Sequence, residues 1–247
     1  SIGSFVFVQG WDAPKTWLDS GTTVSLLHRF HLWRFCACKK GTDKSLSPWI
    51  IRCGIIIFFT AFNLLANKDE YQFNVLIAPA VGLDSGAATT VISTVEGRGD
   101  AFAPVHTGVY GTTITAATQT AAGQSSNYSA TYYPWIQLFN SNLGKNVWAT
   151  PTTVMGGVLA FNDQVGAEWF APAGLNRGGV PSVLRAERKL SQNDRDNLYV
   201  ANVNPLATFP GEGVVVFGQK TLQRRATSLD RVNVRRLLIS LKDYIGQ

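Results

Sequence analysis

Residues that carry chemistry are scarce in this 247-residue chain. It has three histidines and three cysteines, and charged residues make up 15% of it. Cys36, Cys38 and Cys53 are an odd set with no framework, which argues against a disulfide-rich secreted domain. Cys36 and Cys38 lie near His28 and His31, but their spacing fits no common zinc knuckle and no second cysteine pair follows. Only His106 lies outside that segment. No Gly-x-Ser-x-Gly elbow occurs, and no two carboxylates sit in a motif-like spacing. A nucleophile activated by a neighbouring base therefore has no candidate pair. No signal-peptide pattern opens the chain. The apolar stretch at 54–66 contains Asn63 and stops at Asn67-Lys68-Asp69-Glu70. It falls short of the roughly 20 residues that a membrane span needs. There is no internal repeat.

What is present is apolar and turn-rich. Hydrophobic residues make up 45% of the chain and glycine occurs 23 times, with Thr, Asn and Ser crowded in the middle. That composition reads as an α/β or β-rich protein with many turns, not a helical bundle; the fold expected once the elements below are placed is α/β, a mixed sheet with flanking helices. The net charge of +6 is uneven. Residues 176–247 hold 12 Lys/Arg against 6 Asp/Glu, while residues 81–175 hold 2 against 5. A basic C-terminal part implies an acidic partner, with a solvated face as the plainer reading.

The pattern predicts particular elements. A strand is expected at Phe5–Val8, followed by a turn-rich stretch to about residue 21. Residues 73–78 are a buried-strand run closed by Pro79. Asp84 or Ser85 can cap a helix to about Glu96, which Gly97 and Gly99 end, and 101–105 form a second strand. Together these make a βαβ unit at about 73–105. Residues 107–127, rich in Thr, Ala, Gly and Ser, read as a long loop. Residues 135–139 and 145–149 read as a hairpin. Pro151 starts a helix to about Asn162, and Ser191 to Val200 form another helix. Residues 213–217 read as a buried strand. At the end, Thr227-x-x-Asp230 is a capping box for a helix at 228–245. Val234, Leu237, Leu238, Leu241 and Ile245 fall on one face of that helix, expected to be buried, and Arg231, Arg235, Arg236 and Lys242 lie off it.

Three short motifs carry other readings. Gly213, Gly218, Lys220 and Thr221 approximate a phosphate-binding loop, with Gln219 as one residue too many and valines where a cradle needs a loop. Arg98-Gly99-Asp100 is an adhesion tripeptide placed at a helix-to-strand junction. Asn127-Tyr128-Ser129 is a glycosylation acceptor only in a secretory setting.

Several longer motifs resemble the tail sheath proteins of contractile phages. They include Tyr132-Tyr133-Pro134-Trp135, Gly144-Lys145-x-Val147-Trp148 and Trp169-x-Ala171-Pro172-Ala173-Gly174-x-Asn176-Arg177-Gly178-Gly179. Val203-Asn204-Pro205-x-Ala207-x-Phe209-Pro210-Gly211, Gly218-Gln219-Lys220-Thr221-Leu222 and Leu229-Asp230-Arg231-x-Asn233-Val234-Arg235-Arg236-Leu237 follow in order. Upstream, Tyr71-x-Phe73-Asn74-x-Leu76 and Arg98-Gly99-Asp100-Ala101-Phe102 fit the same pattern, so the likeness runs from about Ala61 to Tyr244.

The resemblance implies a structural subunit, not an enzyme, that polymerises helically around an inner tube. It implies contraction that drives the tube through a cell envelope, with no cofactor and no metal. It implies homo-oligomerisation, contacts with the inner tail tube, baseplate and tail terminator proteins, and no nucleic-acid contact. The place implied is the virion tail, after assembly in the host cytoplasm. Contraction would be a relaxation between two packings of the same subunits, held together by strands exchanged through terminal arms. Three regions are expected: 1–60 of uncertain integrity, an α/β sheath domain at 61–150, and a C-terminal sheath domain at 151–247. Arg231, Arg235, Arg236 and Lys242 are the expected interface with the tube or a neighbouring subunit, and reversing Arg235 and Arg236 to Glu is expected to leave folding nearly intact.

Residues 24–40 and 48–60 depart from the family and read as out-of-frame translation. The family also continues beyond Gln247, so the chain reads as a fragment that cannot build a sheath alone. A phage-derived bacterial device is the neighbouring reading. A nucleotide-binding α/β protein using Gly213 to Thr221, and a nucleic-acid module using the basic helix, are the readings of other classes.

Overall fold

The computed structural model describes residues 62–79, 81–141 and 143–245, together with the backbone of residues 5–7. The cysteines, His28, His31, the run 55–59 and the segments 24–40 and 48–60 lie outside the described residues.

The expected βαβ unit is present. Strand β2 (Val75–Ile77), helix α1 (Gly86–Arg98) and strand β3 (Ala103–His106) follow in order. The helix ends where Gly99 takes a left-handed φ of 66°, a conformation that costs glycine little. β1 (Phe5–Phe7) pairs with β2 in parallel. Parallel bridges Val75–Phe102 and Gly82–His106 tie β2 to β3. β3 pairs in parallel with β4 (Ser129–Tyr133), β4 in parallel with β8 (Val203–Phe209), and β8 antiparallel with β9 (Gly213–Val216). The body is therefore a mixed sheet, parallel except at β9.

Helices cover both faces. Alternation along the strands decides which side chain meets which helix. Tyr133, Ala103, Val105 and Val203 pack with α1, with α2 (Ile114–Ala122) and with α4 (Gln192–Val200). Tyr132, Ala130, Leu206 and Val216 pack on the other side with α3 (Thr152–Val165) and α5 (Val232–Ile245). The expected hairpin is β5 (Ile136–Asn140) with β6 (Lys145–Ala149), and β7 (Val183–Ala186) completes a separate antiparallel sheet on the free side of β5.

Three expectations need correction. The stretch 107–127 is not a long loop: it contains α2, whose Thr113 cap accepts from the Ala116 amide at 3.2 Å. Alanine favours helix, and buried Ala117 and Ala121 let α2 lie close against the core. The last helix begins at Val232, not at 228. Residues Ser228–Asp230 form a separate 3₁₀ turn, and Arg231 is extended, bridged to Lys220. The third correction concerns which face of α5 is buried and is given with the interface below. By contrast α4 starts as expected: the Ser191 hydroxyl accepts from the Asp194 amide, and the Asp194 carboxylate accepts from the Ser191 amide.

Two buried polar residues brace the body. Arg98 donates to the carbonyls of Tyr71 (2.7 Å) and Leu65, pairs with Asp100 at 2.9 Å, and stacks over Phe73. The Arg-Gly-Asp tripeptide is thus a corner of the core, and its arginine is inaccessible to a receptor. Asn204 accepts from the Lys220 amide (2.7 Å) and donates to the carbonyls of Lys220 and Thr131, pinning the turn after β9 onto β8.

Candidate assembly interface

The basic residues of the C-terminal part do not form one exposed face. Arg236 is 3% exposed and makes a bidentate pair with Asp163 of α3, at 2.8 and 2.6 Å. Arg235 is 8% exposed, and its guanidinium lies 4.1 Å from the centre of the Tyr128 ring. Arg231 pairs with Asp230 at 3.2 Å and donates to the Tyr199 hydroxyl. Lys242 is exposed and donates to the Gly99 carbonyl at 3.3 Å. The expectation that Arg235 and Arg236 are free surface charges is therefore overturned. Both hold α5 to the body, because α3 offers a carboxylate and Tyr128 an aromatic face at those heights. Other cations are also spent internally: Lys220 lies 4.4 Å from the Tyr199 ring centre, and Arg195 stacks on both Phe209 and Phe217. Burial and the nearby Arg231 push the Lys220 ammonium below its usual range.

Since Val232, Arg235, Arg236 and Ile239 face inward, the expected apolar stripe faces outward. Leu238 is 40% exposed, Leu241 43% and Ile245 79%. This helix shows water a more apolar side than it shows the core. Exposed single leucines are ordinary, but a row of them along one helix marks a packing surface.

The loop reading of 213–221 also fails. Residues 213–216 are a strand in the sheet. The Val216 amide donates to Gly178, Phe217 to Pro205, Lys220 to Asn204 and Thr221 to Asp230, so no set of amides converges on a phosphate. Gly178 must be glycine here, since a Cβ would lie 2.5 Å from the Val216 carbonyl oxygen. Among the described residues no group of three or more His, Cys, Asp or Glu is placed to hold a metal ion. No described helix is long and apolar enough to cross a membrane.

His106 is buried at the end of β3, edge-on to Trp135, and its Nδ1 has no partner. Burial lowers its pKa to about 4. Unfolded histidine titrates near 6.5, so the unfolded chain binds the proton first as pH falls. The stabilising effect of neutral His106 is complete above about pH 6.5 and is lost on going down to about pH 4. The loss amounts to about 3 kcal/mol. Urea denaturation at pH 7 and pH 4.5 should show a smaller pH-dependent loss in His106→Gln than in the parent chain. Equal losses would contradict this account.

The described residues thus form a three-layer α/β body with an apolar helix face turned outward. Residues 60–222 match the phage tail sheath protein central domain. The chain belongs to the phage tail sheath protein family. The tail sheath protein of Enterobacteria phage T4 is 30% identical over 209 residues, covering 76% of this chain and 32% of that protein. That of Vibrio phage KVP40 is 40% identical over 102 residues, 41% of this chain and 15% of that protein. The chain thus spans about a third or less of the curated relatives it matches.

Among solved structures, the sheath complex of an extracellular contractile injection system (PVC) in the contracted state superposes with a TM-score of 0.60 at 24% identity. That match covers 71% of this chain and 47% of the other. The helical sheath of the anti-feeding prophage in its contracted state gives a TM-score of 0.57 at 22% identity over 76% of this chain and 49% of the other. At these identities the likeness concerns the fold. Residues of the motifs that carry the resemblance serve as scaffolding: Asn204, Gly178 and Arg98 set turns and corners. What sequence reasoning missed is the inward aim of Arg235 and Arg236. Two adjacent arginines within about a turn of the helix start, where the helix dipole disfavours unpaired cations, were the available signal.

Proposed function

We propose that this chain is a structural, non-enzymatic part of a contractile tail sheath. It polymerises helically around an inner tube and rearranges to shorten, driving the tube through a cell envelope. The observation that carries this reading is the match of residues 60–222 to the sheath central domain, on a fold shared with contracted sheaths. Contraction on such a body needs no nucleotide, because it is a passage between two packings of the same subunits. The implied partners are copies of the chain, the inner tube, the baseplate and the tail terminator. The implied places are the virion tail and, during assembly, the host cytoplasm. Of the four basic residues, Arg231 and Lys242 are the ones left to meet an acidic tube or neighbour, since Arg235 and Arg236 are engaged inside the subunit.

Immunogold electron microscopy tests this reading. Antibodies against residues 62–245 should decorate the tail along its whole length, in extended and contracted particles alike. Decoration of the capsid alone, or none, would sink it.

A further inference from the structure

We infer that the guanidinium of Arg235, in the first turn of α5, binds an oxyanion that offers two oxygens side by side, a carboxylate or a phosphate. Such a site does not depend on the sheath reading. Among the described residues three arginines are buried: Arg98, Arg235 and Arg236. Two of them each hold a carboxylate by two hydrogen bonds. Arg98 donates to the two oxygens of Asp100, both at 2.9 Å, and Arg236 to those of Asp163, at 2.8 and 2.6 Å. Arg235 has no such partner. Its Nε is buried without an acceptor, and no described carboxylate or carbonyl accepts from its terminal nitrogens.

Arg98 shows what Arg235 is shaped to hold. The Arg98 guanidinium lies 4.1 Å from the centre of the Phe73 ring, as that of Arg235 lies 4.1 Å from the centre of the Tyr128 ring. Stacking uses the face of the group and leaves its N–H donors free along the edge. At Arg98 that edge is filled by Asp100 and by main-chain carbonyls. At Arg235 it is not. A solvated cation needs no fixed counter-ion, but Arg235 is only 8% exposed. A charge withdrawn that far from water is costly until an opposite charge and hydrogen bonds replace the water.

The surroundings favour an anion. Helix α5 is 14 residues long and has no acidic residue in its first turn. Its macrodipole makes that end positive, which attracts negative charge. Lys242 follows two turns later on the same side of the helix. A Cβ on Gly99 would lie 2.9 Å from the Lys242 Nζ and 3.5 Å from the Tyr128 hydroxyl. A second cation therefore stands near the hydroxyl end of the ring that carries Arg235. Asp100, the carboxylate beside Gly99, is already committed to Arg98.

Thermal denaturation of the full chain tests the site. The buffer contains chloride at constant ionic strength, and inorganic phosphate or sodium formate is added in turn. An anion that binds only the folded chain should raise the Tm on the order of 5 °C at a hundredfold excess over Kd. Arg235→Met keeps an unbranched stem over Tyr128 and removes the donors, so its response should vanish. Arg235→Lys keeps the charge without the fork and should need about tenfold more anion for the same rise. Lys145→Met, at an exposed position on β6, should respond as the parent does. That control separates binding at the site from the general stabilising effect of phosphate.

A response to phosphate alone or to formate alone identifies which oxyanion the site takes. A parent chain whose Tm responds to neither would overturn the inference. So would an Arg235→Met chain that responds as the parent does. If Arg235→Met does not fold, Arg235→Lys decides, and half-saturation at the same anion concentration as the parent would overturn the inference equally.

Discussion

Replacing Arg236 with alanine should cost the fold about 3–5 kcal/mol, the range found when one partner of a buried ion pair is removed. Arg236 is 3% exposed and Asp163 5%, and both guanidinium–carboxylate hydrogen bonds are short. Without the arginine, the Asp163 carboxylate is left uncompensated between α3 and α5. For a domain of this size the loss corresponds to a fall in Tm on the order of 10 °C. Replacing both partners with apolar residues of similar volume, Arg236→Met with Asp163→Leu, should recover most of it, because the desolvation cost disappears with the charges. Reversing Arg235 and Arg236 together to Glu should unfold the chain, the opposite of the outcome expected for surface charges. A loss under about 1 kcal/mol for Arg236→Ala would mean that the pair is solvent-screened and that α5 is anchored by other contacts.

Arg98 should be as sensitive. Its guanidinium is fully enclosed and serves the Leu65, Asn67 and Tyr71 carbonyls, the Asp100 carboxylate and the Phe73 ring. Alanine at this position leaves several buried acceptors unpaired, at about 1–3 kcal/mol each, so a loss above 3 kcal/mol is expected. Lysine should rescue little. An ammonium is a point donor and cannot reproduce the planar fork that reaches several acceptors at once. Chemical denaturation of Arg98→Ala and Arg98→Lys checks this. A lysine variant as stable as the parent would show that charge, not geometry, is what the corner requires.

The parts of the fold legible in the sequence are those specified locally. The βαβ unit, the β5–β6 hairpin and the Ser191 cap each announce themselves within one continuous stretch of chain, through periodicity, glycine stops and capping chemistry. The central strands β4 and β8 were not legible as strands. Ser129 and Thr131 dilute the apolar run of β4, and Asn204 and Pro205 interrupt β8, although Asn204 is buried by its bonds to Thr131 and Lys220. Helix α2 was hidden because Thr, Ala and Gln read as loop until Ala117 and Ala121 find a core to pack on.

The interface was legible as a helix and illegible as an orientation. The period of α5 places arginines and leucines on different sides, but which side turns inward is decided by Asp163, 73 residues earlier in the chain. The motifs that carry the family resemblance include residues that set turns in this chain, such as Gly178 and Asn204.

The central claim is that this fold forms part of the wall of a contractile tail. Cryo-electron microscopy of the particle that carries the chain tests it most directly, through helical reconstruction of the tail before and after contraction. The account predicts that residues 62–245 fit the sheath density as one body in both states, once per subunit. Arg236 should remain on Asp163 in both states. A sheath density into which the mixed sheet and its two helical layers cannot be placed would contradict it.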